Sequence, residues 1–289
     1  MTTPLFGYFN GRCAPVTELA IPISDYGFTM GVTITEQMRT WSCRSEIPLL
    51  HRHMQRFQNG LESLGLAIPE NEILAAIELV VKKNVVVLES GNNLGLGLCA
   101  TPGTSPRFPD HDKVNYSLLV YPYVIEPEAD KNWAAEGVSL STVLVKEISR
   151  SVIPKSIKSR SRLHYFLADA QAHEKQSGSK PLLADDEGRV AESSTGSVGI
   201  IRDGEIVFPP RGTILDSVSL RFAIEDLGIE IFRAKFCVKD CLASDAMVWI
   251  NAVTGPLAVS ALNGNEFSAH ALVEDFRSQW WDAVKASSL

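Results

Sequence analysis

The pattern of apolar residues most clearly predicts two helices near the amino terminus. From Leu49 to Leu64 an apolar residue recurs every three or four positions, which is the spacing of one helix face. Gly65 is a natural stop for this helix. A second helix is predicted from Pro69 to about Val81. The residues of the first stripe are Leu50, Met54, Phe57, Leu61 and Leu64.

Four basic or titratable side chains lie beside or opposite this stripe, namely His51, Arg52, His53 and Arg56. For the two histidines the pattern favours a solvated face. Histidines at positions i and i+2 point away from each other on a helix, so they make a poor metal clamp. We therefore predict no metal site here, and none elsewhere in the chain.

Short apolar runs that end at turn residues predict β-strands. The run from Leu5 to Val16 is predicted to form a hairpin with Asn10-Gly11 as its turn. The proline-rich run from Thr101 to Asp110 predicts a loop. Further strands are predicted from Thr33 to Trp41, Leu94 to Ala100, Tyr116 to Ile125, Val138 to Val145, Ile229 to Phe232 and Met247 to Asn251, with a last helix from Ala269 to about Ala286.

The stretch from Lys155 to Phe208 combines a predicted helix with two predicted hairpins. The hairpin turns are Asp-Asp-Glu-Gly at 185–188 and Arg-Asp-Gly at 202–204. Glu192 ends the strand that lies between them. An amphipathic helix is predicted before the hairpins by the spacing of Leu163, Phe166, Leu167 and Ala170.

A lysine before a helix and a glutamate at the end of a strand are natural partners for pyridoxal phosphate. The aldehyde of this cofactor needs an amine to form a Schiff base. Its pyridine nitrogen needs an anion to hold a proton, so that the ring can draw electrons. The sequence therefore predicts pyridoxal 5'-phosphate as the cofactor.

The segment from Ser217 to Ser219 is predicted to open a helix that runs to Leu227. Backbone N–H groups and the positive end of the helix dipole make such a position a candidate anion site, and Ser219 adds a hydroxyl. A plain helix cap by Asp216 or Ser217 is the alternative that this pattern leaves open.

Composition narrows the class of protein. The 289 residues are 45% hydrophobic and carry a net charge of −7, which argues against a broad nucleic-acid face. The chain has no apolar run long enough to cross a bilayer, and its first residues do not resemble a signal peptide. Its five cysteines favour reduced thiols and therefore a cytoplasmic location.

Four motifs, in the same order, resemble the fold-type-IV (class IV) pyridoxal-phosphate enzymes, which include branched-chain aminotransferase, D-amino-acid aminotransferase and aminodeoxychorismate lyase. The resemblance covers nearly the whole chain, and its gap-free register places Lys158, rather than Lys155, at the Schiff-base position. The motifs are His-Met-Gln-Arg-Phe at 53–57, Ile-Lys-Ser at 157–159, Arg-Val-Ala-Glu at 189–192 and Ile-Leu-Asp-Ser-Val-Ser at 214–219.

This resemblance implies a role for each matching residue. Lys158 would form the Schiff base and move a proton between the substrate and the cofactor, and Glu192 would hold the pyridinium proton. Arg56 would anchor the phosphate. The other implied cofactor contacts are Ser217, Val218, Ser219 and Ala252. The implied substrate contacts are Thr35, Arg39, Val253 and Thr254.

For Arg39, the implied carboxylate partner, a structural pair with Glu36 or another acid is the alternative. Several positions also depart from the family pattern. Thr35 replaces an aromatic residue of the aminotransferase pocket, so substrate specificity does not transfer. Ser217 replaces a glycine, and Leu220 replaces an arginine that here comes one step later, as Arg221.

The resemblance implies an α/β (α+β) fold of two domains, with the cofactor at their interface, and a homodimer. We place the smaller amino-terminal domain at 1–125, a polar linker at 126–131, and the larger domain, which carries Lys158, at 132–289. The predicted activity is transamination between an amino acid and a 2-oxo acid, of a branched-chain-like or D-amino-acid-like kind.

Aminodeoxychorismate lyase, which releases pyruvate and p-aminobenzoate, is the alternative activity. The run Met-Val-Trp-Ile-Asn-Ala-Val at 247–253 resembles the lyase, whereas Glu36 and Gln37 stand where the lyase has two threonines. A non-catalytic relative that keeps only the fold is a third hypothesis.

Overall fold

The structure, a computed structural model, describes residues 4–104 and 116–287. The chain divides into two compact units. Unit 1 runs to Pro127 and also contains Ile157–Ser161, and unit 2 consists of Glu128–Ser156 and the chain from Arg162 to Ala286. In the described part of the chain, no helix has the combination of length and apolarity that crossing a membrane requires.

Unit 1 contains a five-stranded antiparallel sheet in the order β2-β1-β5-β4-β3. The first two strands form the predicted hairpin, and Asn10 and Gly11 in its turn have the positive φ angles that such a tight turn requires. The predicted loop after Thr101 lies outside the described residues from position 105 onward. The strands are β1 (Phe6–Phe9), β2 (Arg12–Pro15), β3 (Ile34–Arg39), β4 (Asn93–Thr101) and β5 (Ser117–Ile125).

Two glycines of β4 allow tyrosine rings of β5 to lie flat across the sheet. Gly95 pairs with Tyr123, and Gly97 pairs with Tyr121. A Cβ atom at Gly97 would lie 2.0 Å from Cζ of Tyr121, and one at Gly95 equally close to Cζ of Tyr123. Only glycine leaves room for these rings, so the two positions fix the packing of this sheet face.

The helices of unit 1 cover the other face of this sheet. The predicted stripe on α2 is confirmed, because Met54, Phe57 and Leu61 are almost fully buried. The chain before β3 contains a short helix, capped by the Asp25 carboxylate, which accepts a hydrogen bond from the Gly27 N–H. The helices are α1 (Tyr26–Thr29), α2 (Leu50–Ser63), α3 (Glu70–Lys83) and α4 (Val85–Glu89).

Unit 2 contains an eight-stranded mixed sheet in the order β10-β9-β8-β11-β12-β6-β7, with β13 paired to β12. The turn between β8 and β9 is the predicted one, and Asp203 and Gly204 have positive φ angles there. The strands are β6 (Val138–Lys146), β7 (Lys180–Ala184), β8 (Ser197–Arg202), β9 (Glu205–Phe208), β10 (Ile231–Arg233), β11 (Ala246–Asn251), β12 (Gly255–Leu262) and β13 (Asn265–Glu266).

The three helices predicted for unit 2, which begin near Leu163, Ser217 and Ala269, are present, and two further short helices were not predicted. The first of the predicted helices, α6 (Leu163–Lys175), buries a different face from the one its apolar spacing indicates. Ala168 and Ala172 are fully buried, whereas Leu163 is 72% and Phe166 71% exposed. The small alanines allow α6 to approach β6 and β7 closely, so the large side chains stay outside this core. The helices are α5 (Ala129–Glu136), α6 (Leu163–Lys175), α7 (Val218–Glu225), α8 (Val238–Leu242) and α9 (Ala271–Ser287).

Candidate active site

Lys158 lies in a short segment of unit 1 that pairs with β3. The backbone N–H of Thr35 donates to the Lys158 carbonyl at 2.8 Å, and Ile34 and Ser159 form an antiparallel bridge. From the sequence we expect Lys158 in the carboxy-terminal domain, at 132–289. These backbone hydrogen bonds explain why the segment groups instead with unit 1.

Glu36 is the centre of a buried ionic cluster between β3 and α2. Nε of Arg56 donates to Oε1 of Glu36 at 2.6 Å, and Nη2 donates to Oε2 at 2.7 Å. Nδ1 of His53 lies 2.8 Å from Oε2. The solvated face predicted for His53 is therefore wrong, because this imidazole is buried against a carboxylate. Arg56 is also buried, and part of its guanidinium is engaged by Glu36.

The pKa values in this cluster follow from burial and charge. Burial alone would raise the pKa of Glu36, but the Arg56 guanidinium and the His53 hydrogen bond outweigh it and lower the pKa to about 2. Burial lowers the pKa of His53, as do the charges of Arg56 and Lys158, against the opposing effect of Glu36. The stable arrangement is thus a charged Glu36 that accepts hydrogen bonds from Arg56 and from a neutral His53.

Thr35 and Arg39 lie on the opposite face of β3 from Glu36, because side chains alternate along a strand. The Thr35 hydroxyl donates to a carbonyl of β4 at 2.9 Å. Arg39 is buried, its Nε donates to the next carbonyl at 3.1 Å, and its guanidinium lies 4.8 Å from the Trp41 ring centroid. On the same face, the side-chain amide of Gln37 donates to the Tyr121 hydroxyl at 2.9 Å.

Glu192 is buried in unit 2, and several donors surround its carboxylate. The Tyr165 hydroxyl donates to Oε1 at 2.9 Å, and the Leu215 N–H donates to Oε2 at 3.3 Å. Nζ of Lys155 lies 3.7 Å from Oε1 and makes a closer ion pair with Glu147. One ammonium group therefore serves two buried carboxylates.

This environment shifts the titration of both Glu192 and Tyr165. Burial and the neighbouring Glu147 raise the pKa of Glu192, while Lys155, the Tyr165 hydrogen bond and the Leu215 N–H oppose that rise. Burial, followed by the charges of Glu192 and Glu147, raises the pKa of Tyr165. Tyr165 is therefore a stable hydrogen-bond donor to Glu192.

The segment predicted as an anion site forms the amino terminus of α7. The Ser217 hydroxyl accepts a hydrogen bond from the Leu220 N–H at 3.3 Å, so Ser217 is the helix cap. The Ser219 hydroxyl is buried and has no hydrogen-bond partner among the described residues. An unpaired buried hydroxyl in the first turn of a helix is a position where an anionic ligand would supply the missing partner.

The loop after β11 is held in place by Asn251. Its Oδ1 accepts hydrogen bonds from the N–H groups of Val253 and Thr254, at 2.8 and 2.9 Å. Its side-chain amide donates to the carbonyl of Thr195 at 3.1 Å. The implied contact residues Ala252, Val253 and Thr254 thus lie in a fixed turn beside the segment that follows Glu192.

Each unit brings together some of the predicted site residues. In unit 1, the backbone of Lys158 adjoins Thr35, and the Arg56 guanidinium binds the neighbouring Glu36. In unit 2, Glu192 contacts the loop that leads into α7. Sequence reasoning missed Lys155, Glu147 and Tyr165 around Glu192. The one signal that the sequence offers is the position of Tyr165 within the helix predicted after Lys158.

The residues present fit the pyridoxal phosphate that the family resemblance implies. A buried carboxylate that already accepts neutral donors, such as Glu192, suits a ring nitrogen that carries a proton. The unpaired Ser219 hydroxyl at the start of α7 suits a phosphate. When bound, this cofactor supplies an electron sink for chemistry at the Cα of an amino acid.

Comparison with known proteins gives the family. Residues 33–262 match the model of amino-transferase class IV. The chain is 25% identical over 231 residues to a probable branched-chain-amino-acid aminotransferase of Rickettsia bellii, which covers 78% of this chain and 75% of the relative. It is 26% identical over 259 residues to the aminodeoxychorismate lyase of Bacillus subtilis, covering 85% of this chain and 83% of the relative.

A solved structure confirms the predicted fold. The branched-chain aminotransferase from the thermophilic archaeon Thermoproteus uzoniensis, solved with norvaline, aligns with a TM-score of 0.81 at 17% identity. The alignment covers 98% of this chain and 96% of that structure. The two sheets and their helices therefore form a fold-type-IV architecture. The family match makes the protein an enzyme of the aminotransferase or lyase type. By the match over residues 33–262, the chain belongs to the class IV amino-transferase family.

Proposed function

We propose that this enzyme is a pyridoxal-phosphate-dependent aminotransferase, which exchanges an amino group between an amino acid and a 2-oxo acid. The substrate is proposed to be branched-chain-like or D-amino-acid-like. Relatives of this chain include a probable branched-chain-amino-acid aminotransferase and a D-alanine aminotransferase, which supports the proposal. The geometry that carries it is the buried Glu192 carboxylate with its donors Tyr165 and Leu215.

In this proposal, Nζ of Lys158 holds the cofactor covalently and then carries a proton to and from the substrate Cα. Glu192 holds the proton of the ring nitrogen, and the Tyr165 hydroxyl keeps the carboxylate oriented. The first turn of α7 binds the phosphate through the backbone of Val218 and the hydroxyl and backbone of Ser219. Arg56, held by Glu36, adds positive charge to the phosphate site.

The proposed substrate contacts are Thr35 and Arg39 from β3 and the turn at 252–254. Arg39 is proposed to bind the substrate carboxylate, because a guanidinium pairs with a carboxylate through two parallel hydrogen bonds. The structural pair with Glu36 is the weaker alternative for Arg39, because the Glu36 carboxylate is engaged by Arg56 and His53.

A chemical test separates Lys158 from its neighbour Lys155. The holoprotein is reduced with borohydride, and the labelled peptide is identified by mass spectrometry. Lys158→Arg should abolish labelling, because a guanidinium does not form the covalent bond. The matched control Lys155→Arg should keep it. Label on any residue other than Lys158 would refute the proposed role of that lysine.

Aminodeoxychorismate lyase is the second candidate, supported by the relative in Bacillus subtilis and by the run at 247–253. The two activities are distinguished by incubating the holoprotein with an amino donor in the absence of a 2-oxo acid. An aminotransferase converts its cofactor to the amine form and stops after one half-reaction. A strict lyase keeps its original spectrum and forms pyruvate only from aminodeoxychorismate, and that result would exclude the aminotransferase.

We also propose a cytoplasmic homodimer in which two copies of the chain cover the exposed apolar residues of α6. Leu163, Phe166 and Leu167 all lie open on this helix, and such a group of large apolar side chains is typical of an interface. All five cysteines are free thiols, which fits a reducing compartment. Sedimentation equilibrium of the holoprotein tests the proposal, and a stable monomer would contradict it.

A further inference from the structure

A cavity of about 460 Å³ in unit 2 is lined by an unusual set of charges. It lies between the segment before Lys158, the loop before α7 and the end of β10. Its volume is within the range of small-molecule sites, roughly 300–1,000 Å³. Five cationic side chains face one carboxylate, although the whole chain has a net charge of −7. The charged lining residues are Arg150, Lys155, Arg211, Arg221, Arg233 and Asp216.

Two of the five cations are neutralised within the protein. Lys155 pairs with Glu147 and lies near Glu192. Nη1 of Arg221 lies 3.3 Å from Oδ2 of Asp216. The other three, Arg150, Arg211 and Arg233, have no ion pair within residues 4–104 and 116–287. The cavity therefore has an excess of positive charge supplied by three guanidinium groups.

Arg233 shows most directly that this excess is unfavourable without a ligand. Its Nη1 donates to the Pro209 carbonyl at 3.1 Å, and its guanidinium lies 5.9 Å from the centroid of the Phe208 ring. Its Nε is buried and has no hydrogen-bond partner among the described residues. Burial and the nearby charge of Arg211 both lower the pKa of Arg233, against the attraction of Asp216. An anion beside this guanidinium would relieve the repulsion.

We propose that this cavity binds a small phosphorylated molecule whose phosphoryl group lies among Arg150, Arg211 and Arg233. A phosphate monoester carries about −1.5 to −2 charges at neutral pH, which matches several guanidiniums better than a single carboxylate does. Arginine also presents a planar pair of donors that fits two phosphate oxygens at once. The remaining volume of the cavity accommodates the rest of the ligand.

This site is distinct from the one proposed for the phosphate of the cofactor. The residues proposed to bind that phosphate are Val218, Ser219 and Arg56, and none of the three lines the cavity. Ser217 does line it, but its hydroxyl is used as the cap of α7. The cavity therefore adds a second phosphate-binding position to the chain.

The test uses holoprotein and pyrophosphate in isothermal titration calorimetry at fixed ionic strength. We expect one equivalent to bind without displacement of the cofactor, whose visible spectrum stays unchanged. Arg211→Gln and Arg233→Gln should each weaken binding about tenfold, because each removes one charged donor. Arg211 is exposed, so this variant should fold even if Arg233→Gln is destabilised. The control Arg202→Gln, at an exposed arginine outside the cavity, should bind like the parent.

Several results would overturn the proposal. Absence of binding, or equal weakening in Arg202→Gln, would mean that the cavity is not a specific site. Competition between pyrophosphate and pyridoxal phosphate would mean that the cavity belongs to the cofactor. Tighter binding of citrate than of pyrophosphate would mean that the cavity binds a polycarboxylate and not a phosphorylated molecule. Failure to label Lys158 would refute the proposed function and leave this binding result untouched.

Discussion

At the scale of single residues, the buried carboxylate of Glu36 is the clearest case of one side chain that stabilises unit 1. Its carboxylate is fully buried and accepts two hydrogen bonds from Arg56 and one from His53. Removal of one partner from such a buried pair leaves an uncompensated charge, which destabilises a protein far more than loss of a surface pair. In the sequence, Glu36 and Arg39 are charged residues within a predicted strand that is otherwise suited to burial. No periodic pattern identifies the residues that bind their side chains.

We predict that Glu36→Gln lowers the free energy of unfolding by about 3 kcal/mol at neutral pH, measured by urea denaturation. The pKa of Glu36 is about 2 in the folded protein, below the ordinary value of 4.5. The stabilisation is therefore complete above about pH 4.5 and is lost as the pH falls towards 2.

The difference in unfolding free energy between parent and Glu36→Gln should accordingly shrink in acid. Glu62→Gln, at an exposed position on α2, is the control and should change stability little at any pH. A difference that stays constant from neutral pH to about pH 3 would contradict this electrostatic account of the cluster.

At the scale of elements, the sequence was informative wherever structure is local. Apolar spacing predicted α2 and α3, and the Asn10-Gly11 and Asp203-Gly204 turns predicted their hairpins, because these elements are specified by neighbouring residues. For α6 the same reasoning was wrong about the buried face, since tertiary packing selected the alanines. The contacts of Lys155 with Glu147 and Glu192 join distant parts of the chain, so no local pattern reveals them.

The first turn of α7 gives a matched pair of serines with different expected effects. Ser217→Ala removes the cap of the helix and should lower the unfolding free energy of the apoprotein by about 1 kcal/mol. Ser219→Ala removes a buried hydroxyl that has no partner among the described residues, so the apoprotein should be no less stable.

Ser219→Ala should instead weaken the affinity for pyridoxal phosphate, by about tenfold, as measured by equilibrium dialysis. An unchanged affinity in Ser219→Ala, together with a loss of stability, would mean that this hydroxyl serves the fold and does not bind the cofactor.

The glycines of β4 allow a second test at the scale of elements. Gly97→Ala would place a methyl group against the Tyr121 ring, so we expect a loss of about 1–3 kcal/mol in unfolding free energy. In the double variant Gly97→Ala/Tyr121→Ala the obstructing ring is absent. The change in unfolding free energy of the double variant should therefore differ from the sum of the changes caused by the two single substitutions. Strict additivity of the two substitutions in urea denaturation would rule out this close approach.

At the scale of the whole molecule, we expect the exposed apolar side chains of α6 to determine whether two copies of the chain form a dimer. We predict that Phe166→Asp converts the proposed homodimer into a monomer without a change in far-ultraviolet circular dichroism, because a charge on this face opposes its burial. Leu242→Asp, an exposed apolar position on α8, is the control. A dimer that survives Phe166→Asp in sedimentation experiments would show that another surface joins the subunits.

Lys155 reaches both the carboxylate of Glu192 and the arginine-lined cavity. An anion bound there as proposed would add a negative charge near an ammonium group that already pairs with Glu147 and lies near Glu192. By thermodynamic reciprocity, any change that cavity occupancy makes in cofactor affinity must be mirrored by an equal change that the cofactor makes in anion affinity. The position of Lys155 would thus link the two proposed binding events.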